Sequence, residues 1–133
     1  MGFPPKFAVL LMGFLILCSL VRSVPNTTVI SSLCNVDVYT HGDPFRVSLT
    51  YVLDDLETGT PTSKNYDYHN ISPYPNAFAY GHATCDRNLS GSDCNTCVGS
   101  AKSRVLAHCQ SRIGGRATLQ DCKIRYEQYP FTE

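Results

Sequence analysis

The cysteine pattern constrains this chain more than any other feature of its sequence. Six of the seven cysteines lie at positions 34, 85, 94, 97, 109 and 122, whereas the seventh, Cys18, lies in an apolar segment near the start. An even number of cysteines in a small domain indicates a disulfide framework when the protein matures in an oxidising compartment. The six cysteines therefore predict three disulfides, and their spacing alone leaves the pairing open.

The first 23 residues have the pattern of a secretory signal peptide. A short basic start at residues 1–6 precedes an apolar run of 14 residues, and small or modest residues follow at a suitable cleavage position. The run is shorter than the roughly 20 residues that a membrane-spanning helix needs. The alternative, a buried N-terminal helix, is disfavoured by Pro25 and Asn26, which follow directly. We therefore expect residues 1–23 to be removed and residues 24–133 to form one secreted domain outside the membrane.

Length and charge exclude several functional classes. A chain of 133 residues is too short for a large multidomain enzyme. Residues 24–133 carry nine basic and eleven acidic side chains, which gives a net charge of −2. Such a domain lacks the positive charge with which proteins bind the phosphates of nucleic acids, so we expect no nucleic-acid partner.

Hydrophobic periodicity predicts an α+β domain. Apolar residues at helical spacing indicate one helix that begins at Pro44 with Asp43 as its cap. They indicate a second helix that is capped by Ser92 and ended by Gly114 and Gly115. Strand-like patterns occur at residues 27–35, 66–71, 77–85, 116–121 and 123–129. This order of elements predicts helices on one face of an antiparallel sheet.

The cysteines also permit a zinc site or a redox pair. Cys94, Cys97, Cys109 and Cys122 can supply four thiolates, but only one pair has the CxxC spacing common in zinc sites. A thioredoxin-like pair at Cys94 and Cys97 leaves the other cysteines unexplained. Because thiols of a secreted protein oxidise, three structural disulfides are the better interpretation.

The sequence contains no familiar catalytic motif. No GxSxG turn for a nucleophilic serine occurs. The four histidines, none of which has the spacing of an HExxH metal site, are His41, His69, His82 and His108. A glycosidase pair of Glu127 with an aspartate requires a cleft that so small a disulfide-bonded domain rarely encloses. We expect no enzyme activity, no metal and no cofactor.

The cysteine spacing and its flanking residues resemble those of a plant family. The spacing C-x8-C-x2-C at residues 85–97 is the signature of the ginkbilobin-type or stress-antifungal domain. The segments AYGHATC, LSGSDC and DCKIRYE, which end or begin near these cysteines, are similar as well. The family includes secreted antifungal seed proteins, and it occurs in tandem in cysteine-rich receptor-like kinases and plasmodesmal proteins. The resemblance covers residues 26–131.

The resemblance implies a fold and a disulfide pairing. The fold is α+β, with two helices packed on one face of a five-stranded antiparallel sheet. The implied disulfides are Cys34–Cys109, Cys85–Cys94 and Cys97–Cys122.

Three polar residues form a candidate binding set. Asn35 follows the first cysteine, Arg116 is expected at the start of one strand and Glu127 near the end of the next. A hairpin would place Arg116 beside Glu127 and pair them, and an amide, a guanidinium and a carboxylate together suit sugar hydroxyls. From the residues alone, a plain surface ion pair explains Arg116 and Glu127 better. Ginkbilobin-type proteins bind mannose through a matching Asn, Arg and Glu, so the resemblance implies a mannose site here.

The resemblance therefore implies a plant defence lectin of the apoplast, which we expect to be monomeric. Such a protein binds mannose or mannan of fungal cell walls without catalysis and inhibits fungal growth. Two other functions stay open: a protein-interaction module similar to the receptor ectodomains, and an inhibitor of a fungal enzyme with residues 59–64 as its inhibitory loop.

Three sequons predict N-glycosylation of a secretory protein. They begin at Asn26, Asn70 and Asn88. Pro73 directly follows the second sequon and makes it the weakest of the three.

Overall fold

The computed structural model describes residues 24–133; the predicted signal peptide at residues 1–23, with Cys18, lies outside the described residues. The elements in chain order are β1 (Val29–Cys34), α1 (Phe45–Gly59), β2 (Asp67–Ile71), β3 (Tyr80–Cys85), α2 (Gly91–His108), β4 (Gly114–Leu119) and β5 (Cys122–Glu127). The strands form one five-stranded antiparallel sheet in the order β1-β4-β5-β3-β2. The predicted fold class is confirmed.

Helix α1 forms where the apolar periodicity predicted it. The carboxylate of Asp43 accepts a hydrogen bond of 2.9 Å from the backbone N–H of Phe45, so it satisfies one of the free N–H groups at the helix start. The buried face of α1 consists mainly of apolar residues: Phe45, Leu49, Val52, Leu53 and Leu56. After Gly59 the chain continues into two short 3-10 turns, Thr60–Thr62 and Lys64–Tyr66, where a loop was predicted.

Both predicted ends of helix α2 were wrong. The N-cap is Ser90 rather than Ser92, because the Ser90 hydroxyl accepts a hydrogen bond of 3.1 Å from the N–H of Asp93. The helix ends at His108, after which the chain turns through Ser111 at a positive φ of 57°. Gly114 therefore begins β4 and does not end the helix.

The two glycines at the start of β4 are required by close packing. A Cβ atom at Gly114 would overlap the Oε2 atom of Glu127, and one at Gly115 would lie 2.9 Å from the Sγ atom of Cys109. Only a residue without a side chain fits at either position. The two glycines therefore make room for neighbouring side chains, although in the sequence they look like glycines that end a helix.

The core lies between the helices and the sheet, and three disulfides cross it. Cys34–Cys109 links β1 to the end of α2, Cys85–Cys94 links β3 to the first turn of α2, and Cys97–Cys122 links α2 to β5. These are the three pairs that the resemblance implies. Cys94 and Cys97 of α2, and Cys109 directly after its end, thereby fix this helix to three strands of the sheet.

The face of the sheet opposite the helices, here called the open face, carries polar side chains. One row of directly paired residues crosses all five strands: Leu33, Arg116, Arg125, His82 and His69. The segment after β5 contacts this row, since the Glu133 carboxylate bonds both His82 and Arg125 and the Phe131 ring lies 4.1 Å from the Arg125 guanidinium carbon. The open face therefore holds the side chains that are available for chemistry.

Neither helix between residues 24 and 133 has the length and hydropathy that crossing a bilayer requires. Among the predicted glycosylation sites, Asn26 and Asn88 are exposed. The side-chain nitrogen of Asn70, in contrast, donates to the carbonyl of Val52 at 3.0 Å and to the carboxylate of Asp55 at 2.9 Å. Because a glycan would occupy that nitrogen, the folded domain does not present Asn70 as an acceptor.

Candidate functional site

The structure brings Asn35, Arg116 and Glu127 together at one depression on the open face, here called the strand-end depression. It has a volume of about 210 Å³ and lies where β1, β4 and β5 meet. Its lining residues are Leu33, Cys34, Asn35, Gly115, Arg116, Arg125, Glu127 and Tyr129. A larger groove of about 450 Å³ lies between α1 and the end of α2. We place the candidate site in the smaller depression because of the groups that converge there.

The backbone of Asn35 is held firmly at the end of β1. Its N–H donates to the carbonyl of Gly114 at 2.9 Å, and its carbonyl accepts from the guanidinium of Arg112 at 2.9 Å. Its side-chain Oδ1 accepts a further hydrogen bond of 2.9 Å from the N–H of Asp37. Since Oδ1 is engaged locally, the Nδ2 group is the part of the side chain that can donate to a ligand.

Glu127 presents a buried carboxylate with one unused oxygen. The residue is only 7% exposed, and its Oε1 atom accepts a hydrogen bond of 3.2 Å from Arg125. Its Oε2 atom is buried and has no hydrogen-bond partner among residues 24–133. A buried acceptor without a partner costs free energy, so Oε2 calls for a donor from outside the chain, either a water molecule or a ligand.

The ion pair predicted between Arg116 and Glu127 was wrong. The register of the hairpin pairs Gly114, not Arg116, with Glu127, and it places Arg116 opposite Arg125. Arg125 and Glu127 are two residues apart on the same face of β5, so these two form the ion pair. Arg116 is exposed and forms no ion pair within the described part of the chain, which leaves its guanidinium to bind a ligand.

Arg125 is a residue of the site that the sequence analysis missed. It bonds Glu127 through Nε and Glu133 through Nη1, at 3.2 Å and 3.1 Å. Burial disfavours its charge, but the hydrogen bonds to Glu133 and Glu127 outweigh burial and raise the pKa of Arg125 above its ordinary value. Arg125 therefore orients the Glu127 carboxylate. Its spacing of two residues from Glu127 in a predicted strand was the signal that pointed to this role.

The depression combines donors, an acceptor and one exposed ring. Asn35 and Arg116 can donate, Glu127 can accept, and Tyr129, which is 45% exposed, offers an aromatic surface. Hydrogen bonds to charged groups are stronger than those between neutral groups. Such a set suits a neutral ligand with several neighbouring hydroxyl groups and an apolar face.

Comparisons with known proteins agree with the fold. The model of the salt stress response/antifungal family matches residues 33–129. The chain is 37% identical to antifungal protein ginkbilobin-like protein 1 of Picea sitchensis over 92% of this chain and 93% of the relative. It is 39% identical to antifungal protein ginkbilobin-2 of Ginkgo biloba over 80% of each protein.

A solved structure with a similar fold is the tandem DUF26 ectodomain of the cysteine-rich receptor-like protein PDLP5 of Arabidopsis thaliana. The TM-score is 0.69 at 25% sequence identity, over 80% of this chain and 51% of that chain. This chain therefore corresponds to about half of the tandem ectodomain.

Proposed function

We propose a function from the premise that this chain belongs to the salt stress response/antifungal family. In this proposal the protein is a defence protein that binds mannose or mannan-type glycans of fungal cell walls without catalysis and thereby inhibits fungal growth. Two relatives that carry the description antifungal protein are more than a third identical over at least four fifths of both proteins, which supports the antifungal role. The pattern of residues 1–23 and the three disulfides support secretion to the apoplast.

One observation carries the sugar-binding part of the proposal: among residues 24–133, the buried Oε2 atom of Glu127 has no donor and Arg116, at the same depression, has no counter-ion. A sugar hydroxyl supplies the missing donor to Glu127, and a neighbouring hydroxyl accepts from Arg116. Asn35 adds a neutral donor through Nδ2. Arg125 keeps the carboxylate in place because it bonds the other oxygen.

The size of the depression makes binding to a single sugar weak. Few hydrogen bonds form there, and each replaces bonds that the sugar and the protein make with water. A cell-wall polymer presents many copies of the same sugar close together, so the high local concentration of sugar keeps a single weak site occupied, although one site gains no avidity. We therefore propose that mannan is the physiological ligand and that one domain acts as a monomer.

An NMR titration of the oxidised protein with mannose, and with glucose as the comparison sugar, tests this function. We expect saturable shifts at Asn35, Arg116 and Glu127 with mannose alone. Arg116→Ala removes a charged donor that forms no ion pair with any residue between 24 and 133, so it should abolish the shifts and the inhibition of fungal growth while leaving the spectrum folded.

Arg104→Ala is the matched control, because Arg104 is an exposed arginine of α2 and lies outside the depression. It should bind mannose as the unmodified protein does. Mannose binding that survives Arg116→Ala would show that the site is wrong. A folded protein without any mannose response would remove the mannose mechanism.

A second candidate function is a protein-interaction module, which the similarity to the PDLP5 ectodomain supports. It becomes the leading function if the folded protein does not respond to mannose or mannan. The third possible function, inhibition of a fungal enzyme, has less support, because residues 59–64 do not form an extended exposed loop. Thr60 is fully buried and its hydroxyl donates to the carbonyl of Leu56 at 2.6 Å, so the middle of this segment is anchored, and only Thr62 and Lys64 of residues 59–64 are exposed.

A further inference from the structure

Three side chains that can bind a metal ion meet on the open face, at the end of the sheet away from the strand-end depression. They are Asp67, His69 and His82, and one ligand atom of each lies within 4.8 Å of the others. The Nε2 atom of His82 is 2.7 Å from Oδ1 of Asp67, and Nδ1 of His69 is 3.7 Å from the same oxygen. The two imidazole rings stack with their centroids 3.8 Å apart.

Strand register produces this cluster. Asp67 and His69 are two residues apart on β2, so both side chains lie on the same face of the sheet. His82 on β3 is the direct cross-strand partner of His69. The two histidines are 13 residues apart in the chain, which is why no metal-binding spacing is visible along the sequence.

A carboxylate on the opposite side of His82 fixes the direction of its ring. The Oε1 atom of Glu133 lies 2.8 Å from Nδ1 of His82, which leaves Nε2 on the side of Asp67 and His69. Histidines that bind metals generally have their second nitrogen held by a carboxylate or a carbonyl group in this way. The His82 side chain is only 3% exposed, whereas those of Asp67 and His69 are 52% and 53% exposed, so an ion can approach from solvent.

We propose that Asp67, His69 and His82 form a binding site for a divalent transition-metal ion. The ion takes two imidazole nitrogens and one carboxylate oxygen as ligands, and water or an external ligand fills its remaining positions. It replaces the proton between Nε2 of His82 and Oδ1 of Asp67, and that proton is released to the solvent. Imidazole with carboxylate favours Zn²⁺, Cu²⁺ or Ni²⁺ over Ca²⁺ and Mg²⁺, which prefer oxygen ligands alone.

The ring of the exposed His69 must turn out of its stack with His82, because a metal ion bonds an imidazole nitrogen in the plane of the ring and two parallel rings cannot share one ion. Ligand bonds of about 2.0–2.2 Å to zinc place neighbouring ligand atoms roughly 3.3 Å apart in a tetrahedron. The exposed side chains of Asp67 and His69 can adjust, and His82 can stay where Glu133 holds it. A second group of metal-binding residue types, Cys34, His108 and Cys109, cannot serve in the same way, because both of its cysteines are in a disulfide.

Calorimetric titration of the oxidised protein with ZnCl₂ tests the site, with CaCl₂ as the comparison ion. We expect saturable binding of one Zn²⁺ per chain and no heat with Ca²⁺. His69→Gln, at an exposed position, removes one ligand and should weaken Zn²⁺ binding at least about tenfold, and Glu133→Gln should weaken it about tenfold by releasing the His82 ring. Replacement of His82 itself is avoided because it is buried.

His41→Gln is the matched control, since His41 is exposed and lies beside the groove near α1. It should bind Zn²⁺ as the unmodified protein does. Heteronuclear NMR spectra of each variant establish that the fold is intact, and in the unmodified protein Zn²⁺ should shift the imidazole signals of His69 and His82. The proposal is overturned if Zn²⁺ does not bind, or if His69→Gln binds it as tightly as His41→Gln does.

Discussion

Tyr126 places a polar group inside the core, where it bonds the turn that follows α2. Its side chain is fully buried, and its hydroxyl donates to the carbonyl of Arg112 at 3.1 Å. Burial is the main cause that raises the pKa of this phenol well above its usual value, and the nearby Tyr39 and Glu127 raise it further while Arg112 lowers it. The hydroxyl thus fixes the turn after α2 against β5.

Tyr126→Phe should lower the free energy of unfolding by about 1 kcal/mol near neutral pH, because the carbonyl of Arg112 loses its donor. The folded protein holds the phenolic proton more tightly than the unfolded chain does. This contribution is therefore complete below the ordinary tyrosine pKa of about 10 and is lost as pH rises above it. Urea unfolding measured from neutral pH to about pH 11 should show a smaller alkaline loss in the variant. An equal loss in both proteins would contradict this origin.

Residue types indicated which side chains form the strand-end depression, but they did not show which of these side chains pair with one another. Asn35, Arg116 and Glu127 could be named from their chemistry and from the family resemblance. The two-residue spacing of Arg125 and Glu127 could have named the partner of Glu127. The cross-strand neighbour of Arg116 could not be named, because a shift of one residue in strand register exchanges the two faces of a strand. The same limit hid the cross-strand pair of His69 and His82.

At the scale of elements, the start of α2 shows how similar local signals compete. Ser90 and Ser92 both precede the apolar face, and either can cap a helix. The structure selects Ser90, whose hydroxyl bonds the third residue after it. The choice rests on tertiary structure, since Cys94 must face the core and reach Cys85.

Ser90→Ala should therefore destabilise the domain by about 1 kcal/mol, the usual cost of losing an N-cap. Ser92→Ala is the control and should change stability by only a few tenths of a kcal/mol, because Ser92 is exposed and is not the cap. Denaturant unfolding measures the stability change of both variants. The proteins come from a host without N-glycosylation, because Ser90 also completes the sequon at Asn88. Equal effects of the two changes would argue against the assigned cap.

The element order was predictable, whereas several boundaries were not. Apolar periodicity located both helices, because burial on one face imposes a repeat on the sequence. The β1 strand was located by its β-rich composition instead, since none of its residues is buried. The boundary near Gly114 was misplaced for a specific reason. A glycine that makes room for Glu127 has the same appearance in a sequence as a glycine that ends a helix.

At the scale of the whole molecule, the disulfides differ in how much of the unfolded chain they restrict. Cys34–Cys109 joins residues 75 positions apart, whereas Cys85–Cys94 joins residues nine positions apart. Longer loops lose more entropy when they are closed, so the first bond should contribute more stability.

Replacing Cys34 and Cys109 together with alanine should cost about 4 kcal/mol of unfolding free energy, against roughly 2–3 kcal/mol for Cys85 with Cys94. Alanine leaves no unpaired thiol to form a new disulfide. Urea unfolding of the two double variants tests the order. A larger cost for the shorter loop would show that local packing outweighs chain entropy.

The long disulfide also decides what happens if the backbone is cut. Residues 73–76 form an exposed turn between β2 and β3, a favourable place for a protease. Cleavage there separates Asn35 from Arg116 along the backbone, yet Cys34 and Cys109 remain bonded and hold the two pieces together. A nicked protein would therefore migrate as one species in gel electrophoresis until its disulfides are reduced. The strand-end depression would still be assembled from both pieces, so the proposed sugar site would survive a single cut by a microbial protease.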